Sequence, residues 1–396
     1  MEQKKNNFNK IFLIYIIFLI LSSIYLLSKT YLSPTNNSMA EWAINYSGGF
    51  GRRGFFGEFF TYISIFFDIS YRKVILVFLF VVFIFYYFLV YFFVISINLN
   101  KWIIIAILSP LFLIFPIAEL EALGRKDILI PLSFIIYIYL IEKLNFKLSV
   151  LLLIFIYSIL LLTHEVSMFY LPFFYLILIS KYEKIELKKI IIIMSISFLF
   201  LLIFYLLSKS IHTEQQFNLL CENLKEKLNE NCGLGALMLK RTLSANFAEM
   251  KGFNLQHIPR NIIIFLLGYL FLIFLFINSK FKNNNILSKF LGFKLWAFLL
   301  FLPTLIPFII AVDWGRWYNL SYSMMLLYFL YNFKNNIILF EESNLLKKLD
   351  LIFFSSKKKY IIFIFIFCLT WNPKAVYHED IGSIPIYRAI LKIYKY

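Results

Sequence analysis

The chain is poor in charge. Asp, Glu, Lys and Arg together make up 15% of its 396 residues, against 61% hydrophobic and 20% aromatic residues. A soluble domain of this length has no use for so much apolar surface, so that class is excluded. Short segments of alternating hydrophobicity are missing too, which excludes a transmembrane β-barrel. Cysteine is scarce, and Cys221, Cys232 and Cys368 stand at no metal-ligand spacing. The lysine-rich loops contain neither a nucleotide-binding loop nor an acidic metal pair. Acid is short relative to base, giving a formal net charge of +17. The lysines are nevertheless spread through short loops between apolar runs, where they set topology, so nucleic acid is not the expected partner.

What is abundant is the long apolar run. After a basic N-terminus, MEQKKNNFNK, the segment 11–28 is long enough to span a bilayer. No small-residue cleavage site follows it, so it reads as an uncleaved anchor. Further spans are expected at 74–97, 102–118, 127–141, 148–163, 166–180, 189–208, 261–278, 294–312, 317–333 and 360–371. The fold class is therefore all-α, a polytopic integral membrane helical bundle of about eleven transmembrane helices in one domain. A cytoplasmic N-terminus in the inner membrane puts Lys143, Lys147, Lys181, Lys184, Lys188, Lys189, Lys280, Lys282, Lys289 and the 347–359 lysines inside. All eight arginines (52, 53, 72, 125, 241, 260, 316 and 388) then fall outside. Topology needs only positive charge, so outer arginine points to a use for the planar guanidinium fork.

Two outer loops are long, 29–73 and 209–260. The first carries Glu41 to Glu58, EWAINYSGGFGRRGFFGE, with two acids, five glycines and the adjacent Arg52 and Arg53. Its Gly49-x-Gly51-x-x-Gly54 imitates a dinucleotide fingerprint, but no strand precedes it. Ser38-x-x-Glu41 predicts a capping box opening a short helix through Tyr46, and 54–68 a second, Phe-rich helix at the interface. The other loop holds Cys221 and Cys232, which outside the cytosol can pair or stay free.

Three more polar clusters share that side: Glu119, Glu121, Arg125, Lys126 and Asp127; then His164 and Glu165; then Asp313, Trp314, Arg316 and Trp317. Each has a plain structural alternative. Glu41 can cap its helix, and Asp127 can face a helix N-terminus. Asp313 can pair with Arg316, with Trp314 and Trp317 in an aromatic belt. Taken together, the clusters form a set suited to an anionic, lipid-linked substrate.

That layout resembles the GT-C superfamily of polyprenol-dependent membrane glycosyltransferases, and more distantly the O-antigen polymerases and ligases. The resemblance implies a transferase of cell-envelope polysaccharide assembly, with an undecaprenyl-linked sugar as donor and membrane lipid around it. It implies Glu41 or Glu58 as the acid, with Arg52 and Arg53 as phosphate ligands. The clusters themselves add His164 and Glu165 as catalytic candidates, Arg125, Lys126 and Arg316 as further phosphate ligands, and Trp42, Asp313, Trp314 and Trp317 as residues facing sugar. The Asp-x-Asp or Glu-x-Asp pair of that family is missing from the first loop, so a divalent metal stays open. A repeat-unit polymerase and a lipid-linked glycan flippase or transporter are the alternatives.

Overall fold

Long Ile-, Leu- and Phe-rich segments without internal glycine satisfy their own backbone groups only as helices, and helices are what they form. The computed structural model describes residues 2–32, 37–181, 186–251, 257–282 and 286–375; Arg388 lies outside them. Among the described residues five helical stretches are long and apolar enough to cross a membrane: Phe8–Tyr31, Tyr71–Ile95, Phe146–Thr163, Leu187–Lys209 and Phe293–Ile310. They suggest a membrane protein. The other expected spans are shorter, broken or more polar. Thus 127–141 becomes Leu129–Ile141, and 166–180 opens as a tight turn, Glu165–Tyr170, before Leu171–Ser180.

The clearest departure is 102–118, expected as one span. It is helical only over Lys101–Ile107 and Phe115–Ala118. Pro110 and Pro116, which lack an amide hydrogen, lie in this interrupted segment. The freed carbonyls are met by side chains from neighbouring helices. Tyr322 Oη donates to the Ala106 carbonyl at 2.8 Å, and Tyr87 Oη to Leu113 at 3.2 Å. Asn319 Nδ2 donates to Leu111 at 2.8 Å and Phe112 at 3.0 Å. Irregular backbone among apolar helices is tolerable only when protein covers it in this way.

Asn319 and Tyr322 belong to the Trp314–Lys334 helix, so an asparagine and a tyrosine have a use there although the helix is buried nearly all round. At 21 residues it is ~31 Å long at ~1.5 Å per residue, close to the thickness of a bilayer core. Arg316 lies at one end. At the other, Lys334 pairs with Glu142 at 3.1 Å, and an antiparallel pair of short strands follows, Ser279–Phe281 with Ile338–Phe340.

The first long loop folds differently from its expected capping box. The backbone is helical over Asn37–Ala40 and Glu41–Ala43, and Ile44 is extended. Ser38 therefore sits inside the helix, which ends before Tyr46. The Phe-rich helix forms at Phe55–Phe67, stopped by Asp68 in the left-handed region. Its Gly57 face lies so close to the first turn that a Cβ there would meet the Ile44 carbonyl at 1.8 Å. Cys221 and Cys232 are bonded, tying the Glu214–Leu228 helix to the segment after it.

Candidate functional site

At the Arg316 end of the bundle is a cavity of about 360 Å³. Glu41, Arg52 and Arg53 reach it from the first long loop, and Arg125 from the loop before Leu129–Ile141. His164 and Glu165 come from the turn before Leu171–Ser180, and Asp313, Arg316 and Trp317 from the start of the central helix. Five arginines, counting Arg241, line it against three acids, Glu41, Glu165 and Asp313.

The charges are interlocked. Arg53 grips Glu165 with both edges of its fork, Nε to Oε2 at 2.8 Å and Nη2 to Oε1 at 2.6 Å. Arg316 does the same to Asp127, at 2.7 and 3.1 Å, and reaches Asp313 Oδ2 at 2.5 Å. Its guanidinium also lies 4.9 Å from the Trp317 ring centre. Arg125 bonds Glu41 Oε1, while Glu41 Oε2 is buried with no hydrogen-bond partner. His164 bridges two of these pairs, with Nε2 3.0 Å from Asp127 Oδ1 and Nδ1 3.8 Å from Glu165 Oε2. The imidazole is buried with one ring nitrogen turned toward each carboxylate, and it lowers the pKa of both acids.

Arg52 differs from its neighbour. Its nearest carboxylate oxygen is Glu165 Oε1 at 3.7 Å, the acid that Arg53 already holds. Its Nη2 donates instead to two backbone carbonyls of the second long loop, Met238 and Arg241, the latter at 2.9 Å. That loop roofs the cavity, and a Cβ on its Gly235 would lie 2.6 Å from the Glu41 amide nitrogen.

Burial and charge compete at each group. Burial alone would raise the Glu41 pKa, but the positive charges of Arg125, Arg316 and Arg53 outweigh it and hold the carboxyl at about 2. Burial tends to strip the proton from Arg53, and Glu165 more than reverses that. At Lys126 burial wins, and its amine is lowered to about 7 despite Glu41 nearby. Arg53 also has a left-handed backbone, φ 67°. A non-glycine residue is held there at a cost of roughly 1–3 kcal/mol. Lys126 Nζ donates to the Arg53 carbonyl at 2.7 Å and helps hold that turn.

Several residues of the sequence-based set fall elsewhere. Glu58 does not line the cavity; its carboxylate accepts the Tyr46 amide at 2.9 Å and closes the glycine turn. Trp42 is buried beneath Lys126, whose amine stands 5.5 Å from its ring, and bonds the Gly124 carbonyl. Trp314 donates to the Phe308 carbonyl at 3.0 Å. Glu119 is buried with its carboxylate 4.0 Å from Lys374, and Glu121 is exposed. Lys126 and Asp127 support the lining from behind. Arg241, one of the outer arginines, joins the roof; sequence reading missed Phe169, Phe204, Pro307, Ile310 and Val312, which form an apolar wall, and Met238 and Asn246 in the roof. Nothing in their spacing separates them from ordinary packing residues.

Among the described residues no group of three or more His, Cys, Asp and Glu is arranged to hold a metal ion. Comparison with protein-family models, curated proteins and solved structures finds no match to this chain.

Proposed function

We propose that this chain is an integral membrane glycosyltransferase that takes sugar from a polyprenyl-phosphate-linked donor at the extracytoplasmic face of the inner membrane. The supporting observation is the two-sided cavity. One wall is charged, with arginine in excess over acid. The other is apolar and is contributed by Phe204 and by Pro307 and Ile310, residues of two membrane-length helical stretches, Leu187–Lys209 and Phe293–Ile310. A phosphate joined to a hydrocarbon chain matches both walls at once.

In this reading the donor phosphate goes to Arg52. Arg53, Arg125 and Arg316 are committed to carboxylates, whereas Arg52 has only neutral carbonyls and a distant share in Glu165. A phosphate oxygen there makes charge-assisted bonds stronger than those it displaces. The acceptor hydroxyl attacks the anomeric carbon, the bond from that carbon to the phosphate oxygen breaks, and polyprenyl (pyro)phosphate leaves with the electron pair. Glu41 Oε2 and His164 are the groups in reach of the proton. Glu41, held at about 2, is a weak base and orients the hydroxyl. His164, set between the carboxylates of Asp127 and Glu165, which favour its cationic form, accepts the proton.

The test is sugar transfer from lipid-linked donor in membranes, comparing wild type with Arg52→Lys. The lysine keeps the charge and loses the fork, so transfer is expected to fall roughly ten- to a hundred-fold while the protein melts near the wild-type temperature. Wild-type transfer by Arg52→Lys removes the phosphate from this position. A total absence of transfer from any lipid-linked sugar by the wild type removes the reading itself.

A further inference from the structure

At the end of the bundle opposite the cavity, the chain leaves the central helix at Lys334 and forms a second polar structure. A short helix, Asn344–Phe353, is followed at once by Lys357–Leu369. Five lysines, 347, 348, 357, 358 and 359, cluster around that junction, all exposed. None of the five has an acidic partner among the described residues. The acids close to them are taken: Asp350 by Lys101, Glu341 by Lys280 at 2.7 Å, and Glu342 as acceptor from the Trp102 indole at 3.1 Å.

The same face is greasy. Leu345, Leu351 and Ile352 are 57%, 73% and 60% exposed, and Ile361, Ile362, Phe365 and Ile366 continue the exposed apolar surface along the next helix. Meanwhile Leu346 is fully buried, and Phe354 packs edge-on to Trp102 with ring centres 5.1 Å apart. The Asn344–Phe353 helix is therefore fixed to the bundle along one side and bare along the other. Its bare side mixes leucine and isoleucine with lysine.

We infer that this junction is a binding site for anionic phospholipid headgroups, with Asn344–Phe353 lying in the boundary between headgroups and acyl chains. Apolar side chains enter the acyl layer, and the lysine stems lie along it with their amines at the phosphates. Charge complementarity selects the occupant. A neutral lipid would cover the leucines but leave five like charges crowded without counter-charge, and an anionic leaflet neutralises them. The site does not depend on the chemistry at the other end.

The test uses the full-length protein in vesicles of phosphatidylcholine alone or mixed with phosphatidylglycerol. Leu351→Cys carries an environment-sensitive dye; Cys368 is buried and Cys221 and Cys232 are bonded, so the label is selective. Acrylamide, a neutral quencher, reports the exposure of the dye. Quenching is expected to fall several-fold when phosphatidylglycerol is present. The change from neutral to anionic vesicles is expected to vanish in a variant with all five lysines replaced by glutamine, and to shrink in high salt. Each lysine restored should return part of that several-fold difference, most clearly at low salt. These positions are exposed, so melting of the variant should match the parent and separate loss of binding from loss of fold. Equal quenching in the two vesicle types overturns the inference, as does a charge-neutral variant that keeps the difference. A dye that stays water-accessible in both, or that is shielded only by an acidic protein, overturns it too.

Discussion

The two ends of the bundle use positive charge in opposite ways. At the cavity, Arg53, Arg125 and Arg316 are buried or half-buried, and each fork is locked onto a carboxylate. At the far end the lysines of 347–359 are exposed and unmatched among the described residues. The guanidinium is planar, loosely hydrated and able to bond two oxygens at once, so it tolerates burial beside an acid. Ammonium holds its water tightly and remains where water or headgroups can reach it. The exception sharpens the rule: Lys126, buried in the arginine end, has its pKa lowered by burial to about 7.

The largest effect expected from breaking this contrast is at Arg316. Removing it as Arg316→Met strands Asp127 and Asp313 without their cation. Breaking a buried pair from one side costs about 3–5 kcal/mol. Thermal melting in detergent should show a steep loss of stability, and Asp127→Asn/Arg316→Met should recover part of it. A single variant that melts like the wild type would mean that the arginine end is as loosely held as the lysine end.

Next in size is a split between neighbours. Arg53→Lys loses a two-point grip on Glu165, and lysine must adopt the same left-handed backbone. Arg53→Lys should therefore lose about 1–3 kcal/mol of stability. Arg52→Lys, which gives up bonds to neutral carbonyls, should lose less stability and more transfer. Equal melting shifts in the two variants would erase the distinction drawn between them.

Glu41 gives a pH signature. Its pKa is lower in the folded chain, about 2 against an ordinary 4.5. Its contribution is therefore complete above about pH 4.5 and is lost as pH falls from there toward 2. Glu41→Gln removes a contribution of up to ~3 kcal/mol that exists only above that window, so the gap in stability between variant and wild type should close on acidification. A gap that is the same at neutral pH and at pH 3 would show that Glu41 is not acting through charge. The smallest effect belongs to the far end. Lys357→Gln or Lys358→Gln should change melting in detergent by no more than about 0.5 kcal/mol, because nothing in the bundle depends on either.

The helical class was legible from the sequence because long apolar runs without charge have few other ways to satisfy their backbone. The polar clusters were legible too, since charge is rare in this chain and each cluster stands out against an apolar background. Their partners were not. Nothing in the spacing of Arg53 and Glu165, or of Arg316 and Asp127, says which arginine meets which acid, because those pairs join segments far apart in sequence. Glu41 illustrates the point: read locally it is a helix cap, and in the fold Arg125 takes its carboxylate.

The sequence by itself determined the helical, apolar character of the chain and the rarity of its charge, both of which follow from composition. Pro110 and Pro116 open 102–118 to a break, and tertiary structure decided that the break is kept, because donors from Tyr87, Asn319 and Tyr322 meet its freed carbonyls. It decided as well that Glu58 and Trp42 support the loop while Arg52 faces the cavity with no carboxylate of its own. Such assignments depend on which groups burial brings within about 3 Å of one another, and that distance belongs to packing rather than to any local stretch of chain.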